Sequence, residues 1–93
     1  MKYEVVLEDE AEWMLDALPV WLQGQVDARL LELENSPLEV SRHSVTPPHP
    51  PNFMVSEFEI GPIDGVSHYF TVFWKFGADP STIIVKFIGH LLV

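Results

Sequence analysis

The spacing of apolar residues changes along this chain from a helical period to a strand period. In residues 9–35 apolar side chains recur at every third or fourth position, which is typical of amphipathic helices. Residues 53–60, 67–76 and 82–90 are rich in β-branched and aromatic residues that alternate between two sides, as in strands. Residues 2–7 form a shorter segment of the same kind. The pattern therefore predicts one strand, a helical region and three further strands.

Pro19 divides the helical region into two predicted helices. Asp9 and Glu12 have the spacing of a capping box and predict the start of the first helix. Proline stops a helix but is tolerated in a first turn, so Pro19 ends the first helix and opens the second. The apolar stripes of the two helices are Ala11, Met14, Leu15 and Leu18, then Leu22, Val26, Leu30 and Leu33. We expect an antiparallel helix hairpin, with Gly24 marking close packing between the helices.

The segment between the second helix and the second strand is rich in proline. Residues 36–52 contain five prolines, which exclude a helix and a central strand. We predict an extended connector there, with polyproline II geometry over residues 46–51. Residues 61–65 contain an Asp-Gly pair and predict the turn of a β-hairpin.

Alternation also predicts which face of the sheet each side chain occupies. The face under the helices is predicted to carry Met54, Phe58, Ile60, Phe70, Val72, Trp74, Phe76, Ile83, Val85 and Phe87. The opposite face is predicted to carry Glu57, Glu59, Tyr69, Thr71, Phe73, Lys75, Lys86 and His90. The second set mixes charged and aromatic side chains, and a partner protein is suited to cover such a surface.

These elements predict an α+β fold with the order β-α-α-β-β-β. The helix hairpin would pack on one face of a mostly antiparallel four-stranded sheet. A chain of 93 residues has room for one hydrophobic core, so we expect a single domain over residues 1–93.

The charge balance limits the partners of the protein. Five Lys and Arg residues face fourteen Asp and Glu residues, giving a formal charge of −9, with ten of the acids in residues 1–46. An acidic surface repels phosphate backbones, which disfavours binding to nucleic acid. Cysteine is absent, no apolar run approaches the ~20 residues of a membrane helix, and no signal peptide is visible. We therefore expect a cytoplasmic protein.

Few residues are candidates for chemistry. His90 could act as a general acid or base, or could be a solvated strand terminus. Lys75 and Lys86 could clamp a phosphate, or could pair with Glu57 or Glu59 across the sheet. The remaining histidines, His43, His49 and His68, lack metal-ligand spacing, so we expect neither a metal nor a cofactor. Trp13 and Trp21 are expected to serve in packing, or as interface anchors if exposed.

The order and spacing of these elements resemble the RelE/ParE superfamily of toxins from bacterial toxin-antitoxin modules. The likeness rests on the opening KYEVVLEDEAEWMLDALP, on ENSPLE at the end of the second helix, and on the strands EFEI, HYFTVFWKF and IIVKFIGH. The resemblance covers nearly the whole chain. It implies a toxin that cleaves ribosome-bound mRNA or, in the ParE branch, acts on DNA gyrase, and that is neutralised by an antitoxin protein.

The sequence departs from the family at the positions where RNA-cleaving members carry cations. Glu57 and Glu59 replace basic residues in the second strand, Thr71 lies where an arginine is common, and Leu91 follows the terminal Gly-His pair in place of an arginine. By resemblance, Lys75, Lys86 and His90 remain as the catalytic candidates. We expect the mRNA endonuclease activity of the family to be weakened or lost here.

Three functional hypotheses follow. The first is a toxin-family protein whose sheet face, with Glu57, Glu59, Tyr69, Thr71 and Phe73, binds a cognate antitoxin. The second is a non-catalytic module of the same fold that forms a homodimer through that face. The third is an active endonuclease that uses Lys75, Lys86 and His90.

Overall fold

Two helices and a mixed sheet make up the part of the chain that the computed structural model describes, residues 2–43 and 53–93. The elements in chain order are β1 (Glu4–Leu7), α1 (Asp9–Asp16), α2 (Val20–Asn35), β2 (Arg42–His43), β3 (Met54–Ile63), β4 (Val66–Phe76) and β5 (Thr82–Leu92).

The strands form one sheet in the order β1-β5-β4-β3-β2. Strand β1 runs parallel to β5, and all other neighbouring pairs are antiparallel. The two helices pack on one face, so the predicted α+β fold is confirmed. The two-residue strand β2 lies in the predicted connector, in a stretch without proline, and forms the edge of the sheet. The predicted polyproline II segment, residues 46–51, lies outside the described residues.

The helix hairpin follows the apolar pattern of the sequence, but its first cap differs from the prediction. Ala11 and Leu15 of α1 are buried, as are all four apolar stripe residues of α2. The capping residue of α1 is Glu8, and its side chain makes no cap hydrogen bond, so the predicted capping box at Asp9 is wrong. The N–H of Glu8 donates to the carbonyl of Val85 at 3.0 Å. This bond holds Glu8 in an extended conformation, and the helix begins one residue earlier as a result.

The structure confirms one prediction about a glycine and contradicts another. Asp64 and Gly65 both have positive φ angles, 51° and 79°, and connect β3 to β4, which confirms the Asp-Gly hairpin turn. A Cβ atom at Gly24 would meet no heavy atom within 4 Å outside its own helix backbone and chain neighbours. The expectation that Gly24 marks close helix packing is therefore wrong.

Trp74 lies at the centre of the core between the sheet and the helices. Its side chain is fully buried, and its Nε1–H donates to Ser41 Oγ at 2.9 Å, which satisfies the one polar atom of the ring. The other fully buried large side chains are Leu22, Val26, Leu33, Phe70, Val72, Ile83, Val85 and Ile88. Phe76 lies on the same face but is 38% exposed, because it lies at the edge of the helical cover.

A β-bulge in β5 changes the predicted faces of that strand. Phe73 pairs with Phe87, while the next residue, Trp74, pairs with Val85, so Lys86 is an extra residue in β5. One extra residue reverses the side on which all later residues of a strand lie. Ile88 is consequently buried in the core, and Phe87 is 40% exposed on the opposite face. The prediction that Phe87 packs under the helices is therefore wrong.

In the described part of the chain, no helix is long and apolar enough to span a membrane.

Candidate functional site

The open face is the side of the sheet opposite the helices. Residues that are directly paired across two strands have their side chains on the same face. The open face therefore carries the pairs Glu57 with Thr71, Glu59 with Tyr69, and Phe73 with Phe87. Its members are Val55, Glu57, Glu59, Tyr69, Thr71, Phe73, Lys75, Ile84, Phe87 and Leu91. The five residues predicted to bind a partner therefore lie together on this face.

Tyr69 and Glu59 form a polar pair at one end of the open face. The Tyr69 hydroxyl donates to the Glu59 carboxylate, and this hydrogen bond, with the negative charge of Glu59, raises the pKa of Tyr69 above its usual value. The phenol therefore remains a neutral hydrogen-bond donor at neutral pH. A phosphate group approaching this end would meet the carboxylate of Glu59 and repulsion from it.

Lys86 is held by an ion pair with Glu8. As the extra residue of the bulge, Lys86 extends toward the start of α1, where its Nζ lies 2.6 Å from Glu8 Oε1. The predicted partners Glu57 and Glu59 are not the acids that bind it. Lys75 lies on the open face opposite Ile84. The ion pair with Glu8 neutralises Lys86 and makes it less available to a phosphate than a free lysine would be.

His90 lies on the helix side of the sheet, opposite to its predicted face. It pairs with Phe70, and the two rings stack with centroids 4.5 Å apart and an interplanar angle of 3°. His68 Nδ1 is 3.0 Å from His90 Nε2, so one imidazole donates a hydrogen bond to the other. Trp21 of α2 packs edge-on against His68 at 5.7 Å. The bulge at Lys86 is the physical cause of this correction, because it reverses the face of every later residue.

The environment of His90 favours the neutral imidazole. Partial burial removes water from the ring and lowers its pKa below the usual value, and the nearby His68 lowers it further. A neutral His90 can exchange a proton, but it offers no positive charge to a phosphate at neutral pH. The sequence did not indicate the contact with His68, because two strand-end histidines meet only after the bulge has set the register.

A surface depression near these residues is acidic. It has a volume of about 560 Å³ and is lined by Glu8, Asp9, Glu10, Phe53, Lys86 and Phe87. Three carboxylates and one ion-paired lysine make it unsuited to an anionic ligand. Across residues 2–43 and 53–93, no three His, Cys, Asp or Glu side chains are grouped as metal ligands would be.

The fold is similar to that of RelE toxins of known structure. The chain superposes on the toxin-antitoxin complex RelBE2 from Mycobacterium tuberculosis with a TM-score of 0.72 and 15% identity, over 98% of this chain and 100% of that one. The intact RelBE complex from E. coli gives a TM-score of 0.62 and 15% identity over 94% of both chains. A free arginine-to-alanine mutant of E. coli RelE gives 0.63 and 13%, over 96% of this chain and 83% of that one.

The sequence itself has no such match. No family model matches the chain, and no curated protein shows significant sequence similarity to it. At 13–15% identity the structural similarity establishes the RelE-like fold, and the function has to be argued from this chain's own residues.

Proposed function

We propose that this protein is a RelE/ParE-like toxin-family member whose open face binds an antitoxin-type partner protein, and whose mRNA endonuclease activity is weakened or lost. The solved neighbours include toxin-antitoxin complexes, which supports a protein partner of this kind. The proposal for the chemistry rests on the positions of this chain's candidate residues.

The position of Lys75 and His90 on opposite sides of the sheet is the observation that carries the proposal. Cleavage of a phosphodiester needs an acid, a base and a charge-stabilising cation, all within hydrogen-bond reach of the reacting atoms. Lys75 lies on the open face, Lys86 is paired with Glu8, and His90 stacks on Phe70 on the other side of the sheet. A phosphate bound at Lys75 would therefore lie on the opposite side of the sheet from His90, and Lys86 would have to leave Glu8 to contact it.

The composition of the open face supports a protein partner over RNA. Tyr69, Phe87 and Leu91 are 43%, 40% and 64% exposed on this face. Glu57 and Glu59 are also exposed there, and they would repel a phosphate backbone. Exposed aromatic and aliphatic side chains next to polar groups are typical of protein interfaces.

The cleavage proposal is tested with purified protein, ribosomes and mRNA, with E. coli RelE as the positive control. We expect no ribosome-dependent cleavage above background. Cleavage by the wild-type protein that is abolished by Lys75→Ala or His90→Ala would overturn this part of the proposal, since it would show that the separated residues do act in one mechanism.

The partner proposal is tested by identifying any small gene adjacent to the gene for this chain and measuring whether the chain binds its protein product. We expect Phe87→Glu, on the open face, to weaken the complex by tenfold or more, on the order expected for a buried aromatic anchor. Val20→Glu is the matched control, because Val20 is 83% exposed on α2, away from the open face. Equal binding by both variants would contradict the assignment of the interface.

A homodimer through the open face is the second candidate, since the same exposed side chains would drive it. Light scattering on the isolated chain separates the two. A stable dimer that dissociates in Phe87→Glu would favour the self-associating module over the antitoxin-binding one.

A further inference from the structure

The outer edge of β1 is an unpaired strand edge beside an apolar groove with acidic ends. Strand β1 is the last strand of the sheet and pairs only with β5 in the described residues. We propose that this edge binds an extended, basic segment of a partner protein, which adds to the sheet as a further strand. The β1 edge is a different surface from the open face. The inference rests on the proposed function, because both require a protein partner.

The backbone of β1 has hydrogen-bonding groups directed away from the sheet. The N–H groups of Glu4 and Glu8 donate to Ser81 and Val85 at 2.9 and 3.0 Å, so the even-numbered residues of this segment bond to β5. In a strand the direction alternates, and the N–H and C=O groups of Val5 and Leu7 therefore point outward. An extended peptide binds such an edge by main-chain hydrogen bonds.

The C-terminal end of α2 covers only the first outward-facing residue. The N–H of Tyr3 donates to the carbonyl of Glu34 at 2.7 Å. Beyond Tyr3 the helix leaves a groove of about 320 Å³ between α2 and β1, lined by Val5, Leu7, Asp27, Leu30, Leu31 and Glu34. Leu31 is 53% exposed at its margin. The groove is thus suited to one or two aliphatic side chains of an added strand.

The charge of the groove favours a basic segment. Asp27 and Glu34 are seven residues apart on α2, about 10 Å along the helix axis, so both ends of the groove carry a carboxylate. Among residues 2–43 and 53–93, buried Glu34 Oε2 has no hydrogen-bond partner, and Lys2 Nζ lies 3.9 Å from it. A buried carboxylate oxygen without a donor is destabilised, and an arginine or lysine from a partner would supply that donor.

The charge of the whole chain supports the same occupant. With a formal charge of −9, the chain attracts a cationic segment at long range and repels an acidic one. A second copy of the chain would bring its own Asp27 and Glu34 toward these two acids. Pairing between two β1 edges is disfavoured for this reason.

The test uses the isotope-labelled full chain and the peptide Arg-Thr-Val-Thr-Val-Thr-Arg, which presents two valines and two flanking arginines on one side. We expect NMR shifts and slowed amide exchange at Val5 and Leu7, with further shifts at Leu31. A peptide with glutamate in place of arginine should not bind. No shifts at millimolar peptide, or shifts confined to the open face, would overturn the proposal.

The variant Glu34→Gln removes the negative charge of Glu34 with little change in the shape of the side chain. We expect it to weaken peptide binding about tenfold, in line with the loss of a charge-assisted hydrogen bond. Glu12→Gln, at an exposed position on α1, makes the same charge change elsewhere and should bind as the wild type does. Equal weakening by both variants would show a general charge effect and contradict the site. Thermal unfolding of both variants verifies that they are folded.

Binding to the neighbouring gene's product separates this inference from the proposed function. If Phe87→Glu abolishes that complex while Glu34→Gln leaves it unchanged, the proposed function stands and the inference fails. If the peptide binds at β1 but the gene product does not bind, the inference stands and the proposed partner fails. A homodimer that protects the Val5 and Leu7 amides would overturn the inference, because the edge would then bind a second copy.

Discussion

His90 lies between two aromatic neighbours that favour its uncharged form. It stacks on Phe70 and shares a hydrogen bond with His68 at 3.0 Å. A charged imidazole would lose part of its hydration there and would interact unfavourably with the nearby His68 ring. His90, a catalytic candidate by its sequence position, therefore makes the stability of this end of the sheet depend on pH.

The lowered pKa of His90 gives a prediction with a definite sign. The folded pKa is below the usual 6.5, so the unfolded chain binds more protons as the pH falls through this range. The contribution of His90 is fully present above about pH 6.5 and is lost as the pH falls through the folded pKa. We expect the free energy of unfolding to decrease between about pH 7 and pH 5.

Urea unfolding of the wild type and His90→Gln checks this prediction. The variant removes the titrating group, so its stability should change less across the same pH range. Asp79 also has a shifted pKa, but its hydrogen bonds from Ser81 lower it from 3.8, so its effect falls below this window. Equal pH dependence in both proteins would show that His90 is not the responsible group.

At the scale of the elements, the bulge in β5 decides which side chains meet. Lys86 is the extra residue, and Val85, Phe87 and Ile88 would alternate regularly if it were absent. The bulge also directs Lys86 toward Glu8 at the start of α1, where the two form an ion pair. One residue thus sets the face of His90 and links β5 to the helix hairpin.

Deletion of Lys86 should leave the core in place. Trp74 would still face Val85 and Phe73 would still face Phe87, because only the unpaired residue is removed. The loss is the ion pair with Glu8, whose side chains are 31% and 44% exposed, so we expect a cost of about 1 kcal/mol or less. NMR contacts between Phe73 and Phe87 and the urea unfolding midpoint measure the outcome.

Deletion of Ile84 is the matched control. It shortens β5 by one residue on the regular side of the bulge, and it would move Ile83 out of the core, where it is fully buried. We expect a loss on the order of 2–5 kcal/mol or complete unfolding. If the two deletions destabilise the protein equally, Lys86 is not the extra residue.

The strand and helix pattern was predictable from the sequence, while the bulge was not. Periodicity predicted the apolar stripe of α2 and the buried side of β4, which carries Phe70, Val72 and Trp74. Burial of a whole helix stripe or strand face requires apolar residues at regular spacing, and this spacing is visible in the sequence. A bulge adds one residue without a distinctive composition, since Lys86 differs little from the other polar residues of the strand. Strict alternation past this point therefore assigned Phe87 and His90 to the wrong faces and grouped His90 with Lys75, from which it is separated by the sheet.

At the scale of the whole molecule, fourteen acids against five cations generate repulsion within the folded chain. Much of it is concentrated in α1, whose first turn carries Asp9, Glu10 and Glu12 and whose last turn has no basic residue. The acids of the first turn are favourable to the helix dipole, but Asp16 at the other end is not. Changing a charge at one end of α1 or the other can therefore distinguish the effect of overall repulsion on stability from the effect of the helix dipole.

The variants Asp16→Lys and Glu10→Lys distinguish the two effects. Each changes the net charge from −9 by two units, but the two residues lie at opposite ends of α1. Both variants should gain from weaker repulsion, but a lysine favours the C-terminal end of α1 and disfavours the N-terminal end. We expect Asp16→Lys to raise stability at low salt by about 0.5–1 kcal/mol and Glu10→Lys to give no gain or a loss. The difference should shrink in about 1 M salt, which screens both terms.

If the two variants were equally stable at low salt, repulsion across the whole chain would outweigh the dipole. If neither exceeded the wild type, the acidic surface would cost the folded state little, and its main effect would be on the choice of partner.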